Sequence, residues 1–412
     1  MCQKNSKTKR SKLISVNGTD TSAIRRSNML MILRAAQYSS AVTLTELVRK
    51  TGISRPTTQS AVDDLMESGW LEEINVEESV GRSNGRPARH YRFRAEAGYV
   101  IGVDVGEFKV MAQLADCQGR VLTKHRIQVR PEDSPEKRIE ATHSAIEECL
   151  KNKDIESSAL WGITIGSPGV IDERGYVLNS PILGWNSRNL AEEFGRKYEC
   201  QISIENDCNL AVLAENWVGA VQEFDDVVYV LSGMRTGAGL LLGGNLHRGH
   251  SGAAGETGAL RQLGWAKTQD HFLRFSSVSE DLPIEQRAEY IFSAAQSGDA
   301  ESLAVVDAYT KDLSTGMAAL ILTLDPQVIV LGGGISKSGN TLLDYVKRHL
   351  TPLCITSPNI VLSTLGDESV SLGAIRLALD KLEERIYASN LPLPLTLRKL
   401  ISRKYKCTES RF

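Results

Sequence analysis

The sequence predicts an α/β protein: a small helical head that ends in a hairpin, followed by a larger body of strands alternating with helices. Three observations predict it. From Tyr99 onward, apolar β-rich runs end in glycine: YVIGVDVG (99–106), LWGITIGSPG (160–169), VVYVLSGMRTGAG (227–239) and VIVLGGG (328–334), with helical patterns such as 301–324 between them. Before residue 96 the pattern is helical and then hairpin-like. Charge divides the same way: residues 1–60 hold eleven Lys/Arg against Asp20 and Glu46, a +9 head on a chain of net charge −2 that leaves −11 for the rest.

These shifts divide the chain of 412 residues into four parts: a polar, basic and disordered tail (1–21), the head (22–96), the body (97–385) and a second basic tail (386–412) that suggests no role. The first and third glycine-ended runs each open a further strand pattern. Two such units, roughly 125 residues apart, suggest two related lobes in the body. At 42% hydrophobic and 24% charged residues, the chain has the material for a sizeable core. It contains no apolar run of about 18 residues, which excludes a membrane-spanning helix, and its basic N-terminus lacks the apolar stretch of a signal peptide. Seven scattered cysteines without a C-x-x-C pair fit a reducing cytoplasm.

The head reads as three helices over 23–71. Ile24, Met29, Ile32 and Leu33 mark the buried face of the first. Thr43 followed by Glu46 has the spacing of a capping box that starts the second, and Thr51-Gly52 makes the turn after it. Ser54 caps the third helix and Pro56 lies in its first turn. Val62, Leu65 and Met66 form its buried face. Arg55, Thr57, Thr58, Gln59 and Ser60, at the start of that helix, are the hydrogen-bonding types that suit base edges and phosphates in a major groove. After Leu71, two β-like runs flank GRSNGRP (81–87), a wing hairpin. Its Arg82, Arg86 and Arg89 stand among glycines that let the backbone approach a phosphate or the minor groove. A winged helix-turn-helix on a basic end points to double-stranded DNA.

Residues 99–380 resemble the ROK family of repressors, open reading frames and sugar kinases, and the head is similar to that of its repressor branch. Residues 204–209 (IENDCN), with Ala214-Glu215, look like the family's E-N-D-x-N motif. Residues 249–258 (GHSGAAGETG) look like its G-x-x-G-x-A-G-E-x-G motif, and Asp325-Pro326 with VLGGG (330–334) looks like its adenosine-side signature. The resemblance implies the two-lobed actin-like, sugar-kinase-like (ASKHA) fold with ligand between the lobes. It also implies Asn206, Asp207, Glu256 and Gly169 as ligand-binding residues, Asp207 at the position of the catalytic base.

The phosphate side departs from the family pattern. Where its kinases carry D-x-G-G-T-K, this chain reads Asp104-Val105-Gly106-Glu107-Phe108-Lys109. Glu107 sets a carboxylate where phosphate approaches, and Phe108 removes a hydroxyl. At about 4 Å two like charges cost on the order of 1–4 kcal/mol. In the second loop Met234 stands for a hydroxyl and Arg235 for a glycine. The zinc cluster of some members is also missing: Ala259 replaces the histidine, and 260–283 has no cysteine and only His271. The asparagine expected shortly before Trp185 is absent from 180–185.

These departures imply a chain without metal, cofactor or kinase activity. The expected function is a cytoplasmic, sequence-specific regulator, a repressor of carbohydrate-metabolism genes, whose DNA affinity responds to a sugar or sugar derivative. A homodimer or dimer of dimers would place two heads on paired half-sites, with no membrane partner. The alternative is an ATP-dependent sugar kinase with a regulatory DNA-binding head; a third possibility is an architectural DNA binder whose body only dimerises.

Overall fold

A computed structural model describes residues 21–75, 88–233, 235–275, 284–356 and 358–387. The two tails beyond these bounds, Arg82, Arg86 and Met234 lie outside the described residues. The chain divides into two compact units between Arg94 and Ala95, with Ile386 counted in the first. The expected boundary before residue 386 falls inside the last helix, which continues to Tyr387.

The first unit runs α1 (Thr21–Gln37), β1 (Val42–Thr43), α2 (Leu44–Thr51), α3 (Arg55–Glu67), β2 (Leu71–Ile74) and β3 (His90–Phe93). The strands form one antiparallel sheet, ordered β1-β3-β2. Local chemistry sets the helix ends. Thr43 and Glu46 close a reciprocal capping box on α2, which ends at Gly52 with φ 70°. Ser54 caps α3, with Pro56 in its first turn. Met29, Ile32 and Leu33 of α1 pack inward with Val62, Leu65 and Trp70, all 1% exposed or less. Ile24 was expected on that buried face and is instead 47% exposed, because the inward stripe of α1 begins one turn later.

The second unit begins β4 (Tyr99–Val105), β5 (Lys109–Asp116), β6 (Val121–Gln128), α4 (Pro135–Lys151), β7 (Leu160–Ser167) and β8 (Val170–Ile171). It continues through β9 (Tyr176–Asn179), β10 (Arg188–Asn189), α5 (Leu190–Gly195), β11 (Gln201–Asn206) and α6 (Asp207–Trp217). Then come β12 (Val227–Ser232), β13 (Thr236–Leu242), β14 (Asn245–Leu246), α7 (Thr268–Leu273), α8 (Ile284–Gln296) and α9 (Ala300–Leu324). It closes with β15 (Val328–Gly332), α10 (Asn340–Leu350), β16 (Asn359–Leu362) and α11 (Ser369–Tyr387).

Two five-stranded sheets repeat one plan. In the first, β4, β5 and β6 are antiparallel neighbours, and β7 and then β11 extend the other edge in parallel. In the second, β12, β13 and β14 are antiparallel, and β15 and β16 extend the other edge in parallel. The two lobes implied by the repeated glycine-ended runs are these two sheets with their helices. Among the described residues no helix is long and apolar enough to cross a membrane.

The lobes exchange helices. α6 follows β11 of the first sheet, yet its Cys208, Ala211 and Val212 are buried with Val227, Tyr229 and Leu241 of the second. α11 follows β16 of the second sheet and lies against β4 of the first, where a Cβ at Gly102 would stand 2.1 Å from the Ser371 carbonyl oxygen. Where α6 and α11 cross, a Cβ at Gly373 would stand 1.8 Å from the Leu210 carbonyl oxygen, so only glycine fits.

This crossing predicts that Gly373→Ala destabilises the chain by about 3 kcal/mol in urea unfolding, through forced separation of the two helices. Gly195→Ala, whose Cβ meets nothing within 4 Å, is the control and should stay within about 0.5 kcal/mol of the parent. Equal effects would contradict the close crossing.

Candidate functional site

The site is built where β11 turns into α6. Asn206 is the N-cap of α6: its Oδ1 accepts from the Asn209 amide at 3.1 Å. Its Nδ2 donates to the Gly169 carbonyl at 3.0 Å, so Gly169 meets Asn206 through its backbone. An amide side chain offers two donors and two acceptor lone pairs, so one N–H and one lone pair of Asn206 remain for a ligand. Asp207 occupies the first turn of α6, where its Oδ1 accepts from the Cys208 amide at 2.8 Å.

Asp207 does not stand alone. Burial, followed by repulsion from Asp104 and Glu256, pushes its carboxyl up to about 6. Asp104, at the end of β4, is also raised by burial, and the Lys109 ammonium, 3.1 Å away, opposes the shift. Lys109 is fixed by a 2.8 Å hydrogen bond to the Asp367 carbonyl. Glu256 follows Gly255 on an exposed turn after β14, and the protein around its carboxyl raises it as well. β4 and the turn after β14 therefore each bring a carboxyl within electrostatic reach of Asp207 on α6. Such a group accepts hydrogen bonds from hydroxyls, and a carboxyl near 6 is matched to proton exchange near neutral pH.

The two altered phosphate loops meet each other. The turn carrying Glu107 is held by Arg138 of α4, a fully buried guanidinium. Arg138 donates to the carbonyls of Gly106 (3.0 Å), Glu107 (3.2 Å), Arg130 (2.6 Å) and Pro131 (3.2 Å). From the opposite lobe, Arg235 Nε stands 4.0 Å from the Glu107 carboxylate. The sequence places the Glu107 carboxylate where phosphate approaches and gives no sign of its pairing with Arg235, because nothing local links the two loops.

The stretch that replaces the zinc module is held by ordinary packing. Trp265 is 2% exposed and donates from Nε1 to the Leu313 carbonyl at 2.9 Å. Thr268 bonds Thr236 at 3.0 Å, and His271 pairs with Asp312 at 2.8 Å. Among the described residues no group of three His, Cys, Asp or Glu is placed to share a metal ion. The missing asparagine before Trp185 has a neighbour in Asn186, whose Oδ1 accepts from the Ser180 amide at 2.8 Å.

In the head, Arg55, Thr57 and Ser60 are exposed at the start of α3, and Gln59 is half-buried with a 2.9 Å bond to Asp63. Arg55 Nη1 donates to Thr45 of α2 at 3.3 Å. Thr58 corrects the expected contact set. It is fully buried and its hydroxyl serves the carbonyls of Ile53 and Ser54, because the helical period turns it into the core. Arg89 is exposed and 3.5 Å from Glu73 of β2.

The ROK family model matches residues 100–263 and 275–381, and the MarR family model matches 25–82. A xylose repressor from Caldicellulosiruptor bescii is 23% identical over 86% of this chain and 96% of its own length. A glucokinase from Thermotoga maritima is 29% identical over 67% of this chain and 95% of its own. The solved structure of a ROK family transcriptional regulator, described as a homolog of the E. coli MLC protein, superposes with a TM-score of 0.63. It is 21% identical and covers 92% of this chain and 99% of its own. That likeness bears on the fold alone.

The raised carboxyl of Asp207, pushed up first by burial and then by repulsion from Asp104, sets a pH dependence. A carboxyl raised from the unfolded value near 4 to about 6 lowers stability as pH rises through that window, and the loss is complete above it. Asp207→Asn should therefore stabilise the chain at pH 8 by on the order of 2–3 kcal/mol and leave it nearly unchanged near pH 4, read as Tm against pH. A gap independent of pH would contradict the raised carboxyl.

Proposed function

The chain belongs to the ROK family, and we propose that it is a sequence-specific DNA-binding repressor whose DNA affinity is set by a sugar or sugar derivative held in a kinase-like site. The observation that carries this reading is the Glu107–Arg235 pair. It joins the two positions where the family's kinases present glycine to phosphate, beside Asn206, Asp207 and Glu256 on the sugar side. The MarR match over the head and the near full-length likeness to xylose repressors support the DNA-binding half.

Asn206, Asp207 and Glu256 take the sugar hydroxyls, with Gly169 holding Asn206 in place. Arg55, Thr57, Gln59 and Ser60 read the major groove, and Arg82, Arg86 and Arg89 reach the backbone or minor groove. Two copies present paired heads to a pseudo-palindromic operator in the cytoplasm. The sugar binds one arrangement of the lobes more tightly, and that difference shifts the DNA equilibrium. The chain does not transfer phosphate.

The second reading, a sugar kinase with a regulatory head, draws on Asp207, whose carboxyl near 6 suits a general base. A coupled ADP-release assay with ATP, D-glucose and D-xylose separates the two. The expected result is no turnover above background; turnover that disappears in Asp207→Asn would overturn the repressor reading.

Arg55→Ala should weaken binding to genomic fragments selected by the chain roughly 5- to 100-fold, in fluorescence anisotropy at fixed salt. Sugar affinity should be unchanged. Unaltered DNA affinity would remove the start of α3 from the interface.

A further inference from the structure

Glu205 and Arg248 lie beside the proposed sugar-binding residues, and the reading above gives them no part. Glu205 is next to last in β11, is 5% exposed, and collects three donors. Its Oε1 accepts from the Asn206 amide at 3.0 Å and from Asn209 Nδ2 at 2.9 Å, and its Oε2 accepts from Arg248 Nε at 2.6 Å. A carboxylate this buried needs a charged partner, and Arg248 is the one the structure supplies.

Arg248 belongs to the other lobe, just after β14. Its carbonyl accepts from the Ala254 amide at 3.1 Å and so closes the turn that leads into Glu256. The same turn touches the first lobe again at Gly252, where a Cβ would stand 2.1 Å from the Ile171 carbonyl oxygen. The turn that carries Glu256 is thus fastened to the first lobe at one ionic and one steric point. The ionic point ends on the carboxylate that also holds Asn206 and Asn209.

We propose that the Glu205–Arg248 pair is the clamp that sets Glu256 against Asn206 and Asp207, and that Arg248 is a positioning residue for effector binding. The inference rests on the reading that those three residues hold a sugar. When the lobes part at this point, the pair breaks and the site comes apart; a bound sugar that spans Asn206, Asp207 and Glu256 holds the pair closed. Ligand occupancy and lobe separation are coupled through one charge pair.

The test uses the full chain. D-xylose and D-glucose are titrated into the parent, Arg248→Met, Arg248→Lys and Glu205→Gln by calorimetry. For the sugar the parent binds more tightly, Arg248→Met should raise Kd at least tenfold, Arg248→Lys should return to within about threefold of the parent, and Glu205→Gln should fall between them. Hydrogen exchange on the unliganded proteins should quicken at 249–256 in Arg248→Met and stay unchanged in α9, which a general loss of stability would not spare. Binding by Arg248→Met within twofold of the parent, no recovery with lysine, or unchanged exchange at 249–256 would each overturn the clamp. If the parent binds neither sugar, D-xylose and D-glucose are excluded as effectors separately, and the exchange comparison still decides whether the clamp exists.

Discussion

The site depends on the crossing of α11 over α6, where Gly373 rests on the Leu210 carbonyl. Each helix starts in one lobe and packs in the other, so this contact fixes how the two sheets share their connections. Where α6 begins is set by the Asn206 cap. Asn206 and Asp207 stand at that beginning, and their direction follows from the strand-to-helix switch. A side chain at residue 373 would part the helices and move the first turn of α6 with them.

Around that turn a buried carboxyl stands within reach of two others. Asp104 and Glu256 both act against the charge of the buried Asp207, and Lys109 compensates at Asp104. Where a phosphate would add charge of the same sign, Glu107 is already present and is answered by Arg235. An exposed pair of this kind contributes about 0–1 kcal/mol to stability, so its meaning lies in occupancy. The loops have a partner in each other, and Asn206 keeps hydrogen-bonding capacity that the protein leaves open.

Much of this was legible in the sequence, for local reasons. The Thr43–Glu46 box and the Ser54 cap lie three residues or fewer from the atoms they serve, and both formed as their spacing required. The glycine-ended runs announced the two lobes because strand ends and tight turns are written in consecutive residues. Thr58 was misplaced because its hydrogen-bonding type was weighed above its position on the helical period. Asn206, Asp207 and Glu256 were reached only through family resemblance; no periodicity distinguishes a carboxylate in a site from one on a surface. Glu205–Arg248 and Glu107–Arg235 were invisible, since each joins segments of different lobes that only the folded chain brings together.

The central claim is that a ligand in the altered kinase site changes DNA affinity without chemistry. The direct measurement is a titration of D-xylose and related sugars into the chain bound to its selected DNA fragment, with no nucleotide present, followed by fluorescence anisotropy at constant salt. The account predicts that at least one sugar releases the DNA, and that adding ATP leaves the release curve unmoved. DNA affinity indifferent to every sugar, or release that requires ATP and yields ADP, would contradict it.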